Sequence, residues 1–161
     1  MDEMGQFPIG AGITELRGVL KILKENEGAL SLAKLADESE EEIDKLLPLL
    51  DAGELLGLLE VKNGIVRLTE EGKRLGLGNI TNILSKRLKE IEPFKSVIDI
   101  LSKKSLNTEE IAEELKSRDI ILNADDITNV EILRNLLIKW GVRTKLLAYN
   151  KDSDSWSIGK G

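Results

Sequence analysis

The sequence contains neither cysteine nor histidine. Without cysteine there are no disulfides, no thiolate nucleophile and no Cys-ligated metal site. Without histidine the commonest general base and the commonest zinc ligand are both missing. No Gly-Lys-Ser/Thr phosphate loop and no Gly-x-Ser-x-Gly elbow occurs. These gaps remove most enzyme mechanisms. The expectation is a protein that is not an enzyme, with no catalytic residue, no cofactor and no metal. Aromatic residues make up only 3%, so any core must be built mainly from Leu, Ile and Val. Long apolar runs are missing as well, and a bilayer span needs about 20 consecutive apolar residues. The opening Met1-Asp2-Glu3-Met4 is acidic and lacks a basic-then-apolar leader. Together these predict a cytoplasmic protein with no direct membrane insertion.

What is present is enough for a folded chain. There are 161 residues, 41% of them hydrophobic, which allows one domain or two small ones. The net charge is −6, which argues against a general nucleic-acid binder. The charge is uneven. Residues 1–80 hold 16 acidic and 9 basic side chains, while residues 81–161 hold 13 and 14.

Hydrophobic spacing gives the elements. Residues 1–10 read as a flexible arm whose Phe7 and Pro8 can fold back. Leu16, Val19, Leu20 and Leu23 recur at three and four, predicting a helix capped by Thr14 and ended by Asn26-Glu27-Gly28. Ser31 caps a short second helix. Ser39 and Glu42 have capping-box spacing for a third, over about 40–52, with Ile43, Leu46, Leu47 and Leu50 inward and Pro48 inside. Asn63-Gly64 between two apolar runs predicts a tight hairpin. Thr69 caps one more helical turn.

The order then recurs. Residues 76–82 read as a linker, with helical spacing over 83–91. Phe94, Val97, Ile98 and Leu101 mark a helix. Asn107 or Thr108 caps the next, and Asp125 or Asp126 leads into a third over 127–140, stopped at Gly141. Residues 145–149 and 155–158 pair around a polar turn. The expected fold is therefore mainly α with small β-hairpins (α+β), as two tandem winged-helix-type domains. The expected boundaries are a flexible arm at 1–10, a first domain at 11–78, a linker helix at 79–92 and a second domain at 93–161.

Several of these stretches carry a resemblance. One patch is Leu46-Leu47-Pro48-Leu49-Leu50 through Leu55-Leu56-Gly57-Leu58-Leu59-Glu60, followed by Gly64 and Leu68-Thr69-x-x-Gly72. The other is Ile138-Lys139-Trp140-Gly141, followed by Leu146-Leu147-Ala148-Tyr149-Asn150. Over about residues 11–160 the chain resembles the AAA-associated C-terminal domain family. That domain is found behind the ATP-binding subunit of nitrate/sulfonate/bicarbonate-type ABC transporters and as a free-standing chain. The resemblance implies a role beside a transporter ATPase, regulatory in kind and exerted in trans by this chain. It implies no catalytic residues.

Charge separates the candidate surfaces. Asp37, Glu38, Glu40, Glu41, Glu42, Asp44, Asp51 and Glu54 surround the third helix, against Lys45. A helix entering a DNA groove needs Lys and Arg to displace counterions, so this one does not read DNA. Glu40, Glu41 and Asp44 are a candidate acidic docking face for a protein partner, to be weighed against a plainly solvated face. Arg134, Lys139, Arg143 and Lys145 are a candidate surface for DNA phosphates or a partner, although Glu109, Glu110, Glu113, Glu114 and Glu131 lie among the basic residues. Asn150, Asp152 and Asp154 alternate like the start of a calcium loop. No Gly stands where the sharp turn needs one and no closing Glu follows, so a polar hairpin turn is the better reading. Trp140 and Trp156 read as core residues rather than as interface anchors. Two functions follow as expectations. The first is a non-enzymatic interaction or regulatory module acting with an ABC-transporter ATPase. The alternative is a winged-helix transcriptional regulator that binds DNA through the second domain, as a homodimer.

Overall fold

The computed structural model describes residues 6–76 and 80–159. They divide into two compact units, one over Phe7–Ile80 and one built on Thr81–Gly161. Residues 1–5 of the expected arm and 77–79 of the expected linker lie outside the described residues. Phe7 is buried, so the arm is not loose at that point.

In the first unit the leucine stripe forms α1 (Ile13–Glu25), with Ile13, Leu16, Val19, Leu20 and Leu23 buried. Its N-cap is Gly12, which places Thr14 inside the first turn instead of at the cap. Glu27 and Gly28 take positive φ after it, as the expected stop requires. Then comes a strand too short to read from periodicity, β1 (Ala29–Ser31). Ser31 caps α2 (Leu32–Ser39), its hydroxyl accepting from the Lys34 amide at 3.2 Å.

The capping box expected at Ser39 does not form. Ser39 is the last residue of α2, and its hydroxyl donates back to the Leu35 carbonyl at 2.7 Å. Glu40 takes the left-handed conformation, φ 57°. The Glu40 and Glu41 amides then return to the Asp37 and Ala36 carbonyls. That is a Schellman closure with Glu in the usual glycine place. α3 (Ile43–Leu55) starts two residues later and runs continuously through Pro48. Its buried face is Leu46, Leu49 and Leu50, while Ile43 and Leu47 are 42% and 45% exposed rather than inward.

The hairpin is β2 (Leu59–Lys62) and β3 (Ile65–Leu68), joined by Asn63 and Gly64 at φ 54° and 76°. Positive φ at both central residues is the twist-matched two-residue turn. The sheet is antiparallel with order β1-β3-β2, and Leu30 stands opposite Val66. Thr69 caps α4 (Glu70–Arg74), accepting from the Gly72 amide and donating to the Gly57 carbonyl. A Cβ at Gly72 would overlap the Leu58 carbonyl oxygen, so the Thr69-x-x-Gly72 spacing lets α4 close onto the start of the hairpin.

α5 (Ile80–Leu88) is followed in the second unit by α6 (Phe94–Leu101) and α7 (Thr108–Lys116). Of the two expected caps, Asn107 and Thr108, it is Asn107 that caps α7, in a reciprocal capping box with Glu110. α8 (Asp126–Leu136) is capped by Asp125. The helix does not stop at Gly141. It widens into a π-helical turn over Leu137–Val142, and Gly141 lies inside it. A Cβ there would come within 2.6 Å of Leu147 Cδ1, so the glycine serves packing rather than termination. Gly53 in α3 stands in the same relation to Leu59, at 2.7 Å. In both cases the leucine opens the hairpin and lies six residues after the glycine. β4 (Leu147–Asn150) pairs antiparallel with β5 (Ser155–Ile158). Leu106 bridges to Trp156, as Leu30 pairs with Val66 in the first unit. Trp140 and Trp156 are fully buried. The chain is thus a mixed fold of eight α-helices and small antiparallel sheets among the described residues, none of its helices long and apolar enough to cross a membrane.

Candidate interaction surfaces

On the first unit an open groove of about 770 Å³ runs between α1 and the α2–α3 corner. Val19 and Ile22 of α1 and Leu46, Pro48 and Leu49 of α3 supply its apolar lining. Glu15, Glu38, Glu41 and Asp44 supply carboxylates, against Lys45. Two of the three acidic residues singled out in sequence, Glu41 and Asp44, therefore stand at this groove. Glu40 does not line it; its backbone forms the α2 stop. Glu15 is brought in by α1, twenty-six residues before Glu41, and only tertiary packing joins them. The Glu38 carboxylate accepts from Asn26 Nδ2 at 3.1 Å, which ties it to the end of α1.

On the second unit a smaller pocket of about 420 Å³ lies between α7 and α8. Its lining mixes Glu109, Glu113, Asp126 and Glu131 with Lys116 and Arg134. Lys116 lies 3.5 Å from Asp126, and Ile127 beside it is 74% exposed. Arg134 is turned toward the hairpin, 3.6 Å from the Asp154 carboxylate. Lys139 sits in the π-helical turn, and Arg143 and Lys145 follow it, all three exposed. Lys145 has φ 65° as the chain turns into β4. Arg134 thus forms a local ion pair, and Lys139, Arg143 and Lys145 cluster in sequence at the helix-to-hairpin corner.

Asp154 is the centre of a polar network that sequence spacing alone did not reveal. Its carboxylate accepts from the Thr108 hydroxyl and the Tyr149 hydroxyl, each at 2.7 Å, and from the Thr108 amide at 3.3 Å. The Thr108 hydroxyl, fully buried, accepts in turn from Trp156 Nε1 at 2.9 Å. Tyr149 stacks on Trp156 with ring centroids 4.2 Å apart. Partial burial pushes the Asp154 carboxyl up, but the bonds from Thr108 and Tyr149 and the Arg134 charge outweigh it and hold it below the ordinary range. Its hydrogen bond to Asp154 raises the Tyr149 phenol, with desolvation adding to the shift. Asn150 Oδ1 accepts from the Asp152 and Ser153 amides, so the Asn150–Asp154 segment is an internally bonded turn. Among the described residues no cluster of carboxylates is placed to hold a metal ion.

No curated protein and no solved structure matches the chain. Residues 33–150 match the family described as the C-terminal AAA-associated domain. The match opens inside α2 and ends on the last residue of β4, taking in the Gly53–Leu59 and Gly141–Leu147 contacts and the Thr69-x-x-Gly72 closure. It covers well over half of the sequence, and the chain belongs to the C-terminal AAA-associated domain family.

Proposed function

We propose that this chain is a non-enzymatic interaction and regulatory module, two winged-helix-type units in tandem, acting on the cytoplasmic side beside the ATPase subunit of an ABC transporter. Family membership is the observation that carries the reading. The winged-helix description is supported by the element order α1-β1-α2-α3-β2-β3 with sheet order β1-β3-β2. The second unit supports it with the same helix, bridge, two helices and hairpin.

Electrostatics favours a protein partner over DNA. In a DNA-reading winged helix the third helix lies between phosphates and needs cations. α3 carries Asp44, Asp51 and Glu54 against Lys45, and its groove is rimmed with carboxylates. In the second unit Arg134 is committed to Asp154. Lys139, Arg143 and Lys145 favour the second reading, a transcriptional regulator, and that reading predicts tight DNA binding that weakens steeply with salt.

Co-purification tests the leading reading. The tagged chain, isolated from its native cell after brief crosslinking, is expected to bring down an ATP-binding transporter subunit. Repeated recovery of unrelated proteins alone would overturn the proposal.

A further inference from the structure

Gly18 lies near the middle of α1 and is exposed. Glycine inside a helix is destabilising, because it gives up more backbone freedom than any other residue. Such a glycine usually has a local reason, such as a positive φ or a neighbour that a Cβ would strike. Gly18 has neither: its φ is helical, and a Cβ built on it meets nothing within 4 Å. Gly53, Gly72 and Gly141 each have a neighbour at that position. The space that Gly18 leaves open is the wall of the acidic groove.

A further observation bears on the same surface. The carboxylates of Glu15, Glu38, Glu41 and Asp44, with Lys45 among them, line a floor whose half-buried apolar side chains are Ile22 and Pro48, Val19 and Leu49 being themselves buried. An apolar floor rimmed by four carboxylates against one lysine matches a segment of net positive charge that carries apolar anchors.

We infer that the α1–α3 groove receives a cationic amphipathic segment of a partner protein, with Gly18 as the point of close approach. The inference rests on reading this face as a docking surface, and it adds the chemistry of the partner and the contact point. The partner's apolar side chains rest on Ile22 and Pro48. Its Lys or Arg side chains meet Glu41 and Asp44, and its backbone passes over Gly18.

The test uses the full chain and two labelled amphipathic peptides, one of Leu and Lys and one of Leu and Glu with the same apolar positions. The Leu/Lys peptide is expected to bind with fluorescence anisotropy that saturates at one per chain, and the Leu/Glu peptide is expected not to bind. Gly18→Leu should weaken the Leu/Lys peptide about 10-fold or more, because a side chain then fills the approach path. The same variant should raise Tm by about 2–4 °C, since leucine is the better helix former and strikes nothing at its Cβ. Glu41→Gln with Asp44→Asn should weaken binding about 5-fold, an effect that shrinks with salt. Unchanged affinity in Gly18→Leu overturns the inference, as does equal binding of the two peptides. Self-association of the wild type that Gly18→Leu abolishes would make a second copy the occupant and would also overturn it. Recovery of the ATP-binding subunit by Gly18→Leu and wild type alike removes the groove and leaves the docking reading standing. Loss of peptide binding in the variant, with no ATPase recovered by either chain, keeps the groove and removes that partner.

Discussion

Trp156 Nε1 donates to the Thr108 hydroxyl at 2.9 Å, and that hydroxyl donates to Asp154 at 2.7 Å. One buried threonine thereby fastens the hairpin to the first turn of α7. Thr108→Val keeps the shape and removes both bonds. It leaves the buried indole N–H without its partner, at an expected cost of about 1–3 kcal/mol. Both tryptophans belong to the second unit, so denaturant unfolding followed by tryptophan fluorescence reads that unit alone.

Tyr149 is the only tyrosine, so alkaline absorbance titration reads it without assignment. Its hydrogen bond to Asp154 favours the neutral phenol, and the midpoint is expected above the ordinary value of 10. Asp154→Asn should bring it back toward that value.

The same carboxylate sets an acid limit on stability. Its folded pKa lies below the unfolded one. The contribution is fully present above the unfolded value, about 3.9, and is lost as pH falls through the lower folded value. Wild type should therefore lose stability more steeply below about pH 4 than Asp154→Asn does. Thermal scans over an acid series measure the difference.

Gly72→Ala should damage the first unit, because its Cβ meets the backbone oxygen of Leu58, which cannot rotate away. Overpacking of this kind costs about 1–3 kcal/mol. Far-UV circular dichroism should show early loss of helix, while the tryptophan signal of the second unit moves less.

Pooled double-stranded DNA is expected to give no tight binding at low salt. Tight binding with a steep salt slope, reduced by Arg143→Ala or Lys139→Ala, would instead favour the regulator.

Local signals in the sequence were reliable where the chemistry that decides them is local. Asn63-Gly64 set the hairpin turn, and Ser31, Thr69, Asn107 and Asp125 stand at helix starts, although Thr14 yields the first cap to Gly12. Ser39 misled because two local solutions competed. Its spacing to Glu42 suits a cap, but its hydroxyl bonds backward and Glu40 closes α2 instead. β1 was not legible because three residues carry no period and its partner, β3, is more than thirty residues away. Gly141 looks like a stop in sequence because glycine commonly ends helices, whereas in the fold it lies inside the π-helical turn and gives room to the Leu147 side chain. The acidic side of the groove was half legible, through Glu41 and Asp44. Glu15 and the open space at Gly18 emerge only when α1 packs against α3.

The most direct measurement of the central claim is calorimetric titration of the purified chain into the purified ATP-binding subunit of the native cell's nitrate/sulfonate/bicarbonate-type transporter. Saturable binding is expected, weaker at higher salt and weaker again in Glu41→Gln with Asp44→Asn. Absence of any heat or complex with that subunit, together with tight salt-sensitive binding to DNA, would contradict the claim.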